Sequence, residues 1–255
     1  MTAGDGMWGV ELTPDEPVER VAELGAAAER AGFDAAFASA HYFNRDPFVA
    51  LDRVARATDD LLVGPAAANP YDAHPAALAS RVATLQEATG GRAVVGVGPG
   101  DRSTLAALGV GRERPLRRVL ETVRVARRLW DGETVTHDGT FEVRDAELRY
   151  AVDAPPVYVA AQGPDMLRMG AKHTDGVLYN AAHPRDYEWA TAHVEAGREA
   201  GDGDAAFVAY ATVSVAGDRG AAREAARPPV AFVVGGAADP VLERHDIPPG
   251  DARAV

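Results

Sequence analysis

Short apolar runs alternate with longer amphipathic stretches along most of the 255-residue chain, and this alternation predicts strands and helices in regular turn. Trp8 to Leu12 reads as a short strand, ended by the loop Thr13 to Pro17. Val18, Val21, Leu24 and Ala28 then recur at helical spacing, with Gly32 placed just past the helix end. Phe33 to Ala38 predicts a second strand and Phe48 to Thr58 a second helix. In the third strand, Leu61 to Ala68, Gly64-Pro65 disfavours regular pairing and predicts a bulge. A third helix, Ala76 to Ala88, is stopped by Gly90-Gly91, and Ala93 to Val97 forms the fourth strand. Beyond it a helix interrupted at Gly109 continues through Pro115 to Trp130.

The period then changes. Thr134 to Tyr150 alternates around His137-Asp138-Gly139, and Asp-Gly between alternating segments predicts a hairpin. The strand and helix order resumes with a strand at Val157 to Ala161, a helix at Asp165 to His173 and a strand at Gly176 to Asn180. A helix at Asp186 to Ala200, a strand at Phe207 to Val215 and a helical stretch from Asp218 follow. Arg227 to Gly236 reads equally as helix or strand, and a loop is expected from there to Val255. No eighth strand is visible, so the chain is expected to stop before a barrel closes.

Strand-then-helix units with short apolar strands predict a parallel sheet covered by helices, and a TIM (β/α)8-type α/β barrel is the leading architecture. The expectation is one domain over residues 1–255, with a hairpin excursion at about 134–150. Polar residues gather where the strands end: Glu11, His41, Asn69, the run Gly98-Pro-Gly-Asp101, Gln162-Gly163 and Asn180. Gly96, Gly98 and Gly100 permit a flat ligand to lie against the main chain. Asp101 then has two readings, as a cap for the following helix or as a group facing the ligand.

Composition narrows the chemistry. With 47% hydrophobic residues the chain can bury a real core, and with no cysteine it has neither disulfides nor thiolate metal sites. Its 22 Asp and 16 Glu outnumber 25 Arg and the single Lys172, for a net charge of −12. Such a surface repels a nucleic-acid backbone and suits high salt, where charges on one molecule are screened from each other. No stretch is apolar for long enough to span a membrane and no basic-then-apolar leader is visible, so a cytoplasmic protein is expected. His74, His137, His173, His183 and His193 show no metal-ligand spacing and read as solvated.

Several pieces stand in a fixed order: Trp8-Gly-Val-Glu11, Glu16-Pro17, His41-Tyr42, Gly64-Pro65, Asn69-Pro70-Tyr71 and Gly91-Arg92-Ala93. Gly96-Val-Gly-Pro-Gly-Asp101, Leu108-Gly109, Ala161-Gln-Gly-Pro164, Thr174-Asp175-Gly176 and Glu243-Arg-His245 follow. From Met7 to about Ile247 the chain resembles the coenzyme F-420-dependent methylenetetrahydromethanopterin reductases, a branch of the bacterial-luciferase-like barrels. The resemblance implies hydride transfer from the reduced deazaflavin coenzyme to the methylene carbon of a methylene-tetrahydropterin, built on methanopterin or folate. Glu11 is implied as the acid that protonates a pterin nitrogen, its protonated form favoured by burial among Trp8, Val10 and Leu12. Asp101 matches the second carboxylate.

The same resemblance implies coenzyme contacts at His41, at a non-proline cis peptide between Ala66 and Ala67, and at Asn69, Gly98, Gln162, Gly163, Asn180 and Ala181. Gln162-Gly163 would offer helix N-terminal N–H groups to a phosphate. Ala40 departs from the aspartate usual before this histidine, which puts one coenzyme contact in doubt. A homo-oligomer is expected, as luciferase-like barrels commonly pair. Rival readings are an FMN-dependent luciferase-like monooxygenase, a non-catalytic flavin-binding relative and, more distantly, a glycoside hydrolase using Glu11 and Asp101.

Overall fold

A computed structural model describes residues 6–252. The chain divides into two compact units, Met1–Tyr158 and Val159–Val255. In the first, β1 (Gly9–Glu11), β2 (Ala35–Ala38) and β3 (Leu62–Pro65) form a parallel sheet in that order. Glu11 is level with Phe37, and Ala38 with Pro65, so the strands end together. The crossover helices are α1 (Val18–Arg30), α2 (Pro47–Arg56) and α3 (Pro75–Ala88). Parallel bridges Val63 to Ala93 and Ala68 to Val97 bring β4 (Val95–Val97) alongside.

Small residues let these layers approach. Ala36, Ala38, Ala50 and Val63 are buried in one cluster with Leu51, Val54 and Leu61. A Cβ on Gly64 would lie 1.6 Å from the carbonyl oxygen of Val94, so only glycine lets β3 and β4 meet there. The amino-terminal ends of the strands are tied by charge. Glu29 accepts from the N–H groups of Asp59, Asp60 and Leu61, and Arg92 donates to the carbonyls of Ala55 and Leu61.

Gly64 and Pro65 pair regularly with Phe37 and Ala38, so the irregularity expected at them lies instead just beyond the strand, where the chain leaves β3. The Ala66–Ala67 peptide is cis, Ala66 N–H donates to Ala38, and Ala68 N–H donates to Gly96. After β4 the chain forms a short α4 (Arg102–Ala107), turns at Gly109 with φ of 68°, and enters α5 (Pro115–Trp130). The expected break in this helix is therefore where the sequence placed it. Strands β5 (Val135–Asp138) and β6 (Glu142–Ala146) pair antiparallel as the expected hairpin.

Strand β7 (Val157–Ala161) begins in the first unit, where Val95 N–H donates to the carbonyl of Pro156. In the second unit α6 (Pro164–His173), β8 (Gly176–Asn180), α7 (Pro184–Glu199) and β9 (Ala206–Tyr210) continue the alternation. Strands β8 and β9 are parallel, with Asn180 level with Tyr210. The last strand is shorter than its sequence pattern: Val213 and Val215 are 79% and 92% exposed, so alternation beyond Tyr210 has no partner to pack on. Residues 219–236 form α8 (Arg219–Gly236), which resolves the helix-or-strand ambiguity as a helix despite Pro228 and Pro229 inside it. The expected closing loop instead contains α9 (Asp239–Glu243) and α10 (Pro249–Ala252), and its last three residues lie outside the described ones. No described helix is long and apolar enough to cross a membrane.

Candidate active site

The carboxyl ends of β1 to β4 collect the first group of expected site residues. Glu11, at the end of β1, accepts from the Thr13 hydroxyl at 2.9 Å and from the Ser39 N–H at 3.2 Å. Ser39 lies just past β2, two residues before His41, so Glu11 joins the first two strand ends. The expected burial of Glu11 does not hold: its strand is exposed to half-buried, and Trp8 is 72% exposed. A three-residue strand at the edge of its sheet does not enclose the side chain at its own end.

His41 is half-buried, stacks on Phe43 at 5.0 Å and places Nδ1 3.3 Å from the Thr104 hydroxyl. It lines a cleft of about 240 Å³ together with Tyr42, Phe48, Asn69, Asp72 and Arg81. Asn69 is buried, but its amide is largely occupied: Oδ1 accepts from the N–H groups of Tyr71 and Asp72, and Nδ2 donates to Asp72 at 2.8 Å. One N–H of the amide remains for a ligand. Gly98 is buried and its N–H donates to Ala68. Gly100, with φ of 72°, lies so near Asn69 that a Cβ would come within 3.1 Å of its Cγ.

Asp101 caps α4, as the first of its two readings expects. Its carboxylate accepts from Thr104 N–H at 2.7 Å and from the Ser103 hydroxyl, starting α4. Burial raises its pKa, but the bonds from Ser103 and Thr104 and the nearby His41 outweigh this and hold it below the usual carboxylate value.

The second group lies in the second unit. Gln162 donates to the carbonyl of Asn180 at 3.1 Å, joining the ends of β7 and β8. Gly163 is the N-cap of α6 and no side chain caps that helix, so first-turn N–H groups point outward as an anion site requires. Asn180 Oδ1 is buried without a hydrogen-bond partner, an acceptor that a bound N–H or O–H would satisfy. Ala181 is buried, and its carbonyl accepts from the Tyr187 hydroxyl at 3.0 Å. An unpaired acceptor beside an uncapped helix end fits a ligand carrying both hydrogen-bond donors and a phosphate.

The chain as a whole matches a known family. The family model described as luciferase-like monooxygenase matches residues 5–254. The chain is 41% identical over 252 residues to the 5,10-methylenetetrahydromethanopterin reductase of Archaeoglobus fulgidus, covering 97% of this chain and 76% of that protein. It belongs to the methylenetetrahydromethanopterin reductase branch of the luciferase-like family. Identity to the reductase of Methanolobus tindarius is 39% over 246 residues, with 95% and 76% of the two chains covered. The solved coenzyme F-420-dependent tetrahydromethanopterin reductase from Methanopyrus kandleri superposes with a TM-score of 0.86 at 34% identity, covering 94% of this chain and 76% of that one. The fold is therefore the α/β barrel type of that family.

The histidines read as solvated make specific contacts. His74 and His183 accept from Ala76 N–H and Arg185 N–H, capping α3 and α7. His137 Nε2 lies 3.3 Å from Glu121, and His193 Nδ1 lies 2.8 Å from Arg168. His173 is half-buried. Sequence reasoning also passed over Thr104, Asp186 and Tyr187. The available signals were Thr104 three residues after Asp101, and Asp186-Tyr187 in the first turn after Asn180.

Proposed function

We propose that the chain is an oxidoreductase that reduces the methylene group of a methylene-tetrahydropterin to methyl with a hydride from reduced coenzyme F-420. The observation that carries this reading is the 41% identity spanning three quarters of an archaeal reductase. The uncapped α6 end and the unpaired Asn180 acceptor support it from the side of the coenzyme. Coenzyme F-420 supplies the hydride when bound.

The chain's own residues do the rest. Glu11 exchanges the proton at the pterin nitrogen that must be protonated as the five-membered ring opens. His41, the Ala66–Ala67 peptide, Asn69 through its remaining N–H, and the Gly98 main chain contact the coenzyme in the first unit. In the second unit Gln162 and Gly163 present N–H groups to its phosphate, while Asn180 and Ala181 contact its polar part. Asp101 orients the pterin or assists proton movement. Residues 1–255 act as one luciferase-like domain, supported by the unbroken family match. The protein works in the cytoplasm at high salt, on a methanopterin or folate carrier, as a homo-oligomer.

The test is a fluorescence titration with F-420 in molar potassium chloride, with FMN as control, followed by assay of both methylene pterins. Quenching by F-420 alone and turnover of one pterin are expected, with Glu11→Gln lowering kcat about 10²-fold or more. A folded protein that binds neither ligand would sink the reading.

A further inference from the structure

Asn69 spends most of its amide on shaping the loop after β3, and that loop carries a carboxylate. Oδ1 of Asn69 accepts from the N–H groups of Tyr71 and Asp72, and Nδ2 donates to Asp72 Oδ2 at 2.8 Å. Asp72 is thereby fixed where it lines the cleft of about 240 Å³, together with Tyr42, Phe48 and Arg81. The other carboxylate of the cleft, Asp46, is committed to α2, whose Phe48 and Val49 N–H groups it accepts. Among the described residues Asn69 gives the one side-chain hydrogen bond to Asp72, and Arg81 acts on it through charge. We propose that Asp72 is a substrate-binding residue whose carboxylate takes the 2-amino and N3–H groups of the tetrahydropterin ring in this cleft, while Arg81 takes the 4-oxo group.

This inference rests on the proposed function for its substrate and deepens it by saying which of the two flat rings the cleft takes. Their edges differ. The 2-amino-4-oxopyrimidine of a pterin offers two neighbouring donors and then an acceptor, whereas the pyrimidinedione of a deazaflavin offers one donor between two acceptors. A carboxylate only accepts, and with about four lone-pair sites it can keep the Asn69 bond and still take a donor pair. The pterin edge uses it in the paired geometry that makes such bonds strong, while the deazaflavin edge would set a carbonyl oxygen against it. Burial raises the Asp72 pKa by more than the Asn69 bond and the Arg81 charge lower it, so the protein's own groups replace only part of the lost hydration. A donor pair supplies the rest. Tyr42 and Phe48 add aromatic surface for a flat ring. The cleft is smaller than the roughly 300–1,000 Å³ that enclose a drug-sized ligand, so it suits a two-ring head and not a whole carrier. His41 and Asn69 form the wall shared with the coenzyme, because rings that exchange a hydride have to be neighbours.

The test is calorimetric titration of the full chain with 5-methyl-tetrahydrofolate, with methyl-tetrahydromethanopterin and with F-420. A 5-methyl-tetrahydrofolate analogue with methyl in place of the 2-amino group serves as a fourth ligand. Asp72→Asn keeps an oxygen for the Asn69 amide but turns an acceptor into a donor, so affinity for the methyl pterin is expected to fall about tenfold or more. F-420 affinity should stay within about twofold and the urea midpoint close to wild type. The analogue should bind the wild type weakly and lose nothing further in Asp72→Asn, a result that a merely structural role would not give. Arg81→Gln should weaken the methyl pterin about threefold or more without weakening F-420. In turnover, Asp72→Asn is expected to raise KM for the methylene pterin and leave KM for F-420 unchanged. A wild type that binds neither methyl pterin, a pterin affinity unmoved by Asp72→Asn, or an equal loss of F-420 affinity overturns the proposal. A wild type that binds a methyl pterin through Asp72 yet does not turn over the methylene form overturns the function reading instead.

Discussion

Glu121 shows how one carboxylate secures the hairpin excursion. Its side chain is 10% exposed, and it accepts from Thr140 N–H and hydroxyl at 2.7 Å and from Arg117 at 2.6 Å, with His137 3.3 Å away. Burial raises its pKa, but these bonds outweigh burial and lower it to about 2. A folded-state pKa below the unfolded one means stability that is full above about pH 4.5 and lost as pH falls towards 2. Glu121→Gln is expected to cost about 2 kcal/mol in urea unfolding at pH 7, and much less at pH 2.5. Equal losses at both pH values would remove the ionic explanation. Gly100 makes a second residue-scale test. At its φ of 72° an alanine Cβ would sit 3.0 Å from Leu105 and 3.1 Å from Asn69. Gly100→Ala should lose about 1–2 kcal/mol and weaken F-420 binding by displacing Asn69, measured by unfolding and fluorescence titration.

Among elements, close packing of helices depends on absent side chains. On α7, a Cβ at Gly197 would come 2.6 Å from the Arg168 carbonyl oxygen and 2.7 Å from the Ala171 Cβ of α6. On α6, a Cβ at Gly170 would come 3.0 Å from both Val159 of β7 and Val177 of β8. The two glycines therefore set how near α6 lies to its neighbouring helix and strands. Gly197→Ala must push α6 and α7 apart, and a fall in melting temperature of about 3–10 °C is expected. Tyr187, in the first turn of α7, reaches the carbonyls of both Ala181 and Tyr210. Its single hydrogen is shared between the residue after β8 and the last residue of β9, which ties the ends of both strands to α7.

At the scale of the whole molecule, a formal charge of −12 with a single lysine dominates. Ion pairs are present, such as Arg53 with Glu19 and Arg56 with Asp52, but they are largely exposed and add little. The surplus of carboxylates repels itself until salt screens it. Stability is expected to rise by at least 1 kcal/mol between about 0.1 and 2 M potassium chloride, followed by urea unfolding at constant pH. A flat or falling salt dependence would remove the high-salt part of the proposed function.

Much of the architecture could be read from local pattern. Helical spacing, Gly32, Gly90 and the Asp138-Gly139 turn each act within a few residues, so α1, α3 and the hairpin lie where the chain predicts them. The strands β7 and β8 match residue for residue, because an apolar run bounded by turn residues needs no distant information. Burial was less legible. Glu11 stands in apolar company along the chain, yet exposure depends on what the far side of the sheet offers, and there Trp8 is open to solvent. That Asp101 caps a helix was one of two readings of its position, and it shows only once the fold places Thr104 N–H on its carboxylate. The link from His41 to Thr104 joins residues 63 positions apart, and no local pattern carries it. Types, periods and breakers determine elements because they act over a few bonds. Partners of a polar side chain are chosen by whichever strand ends the tertiary fold brings to one face.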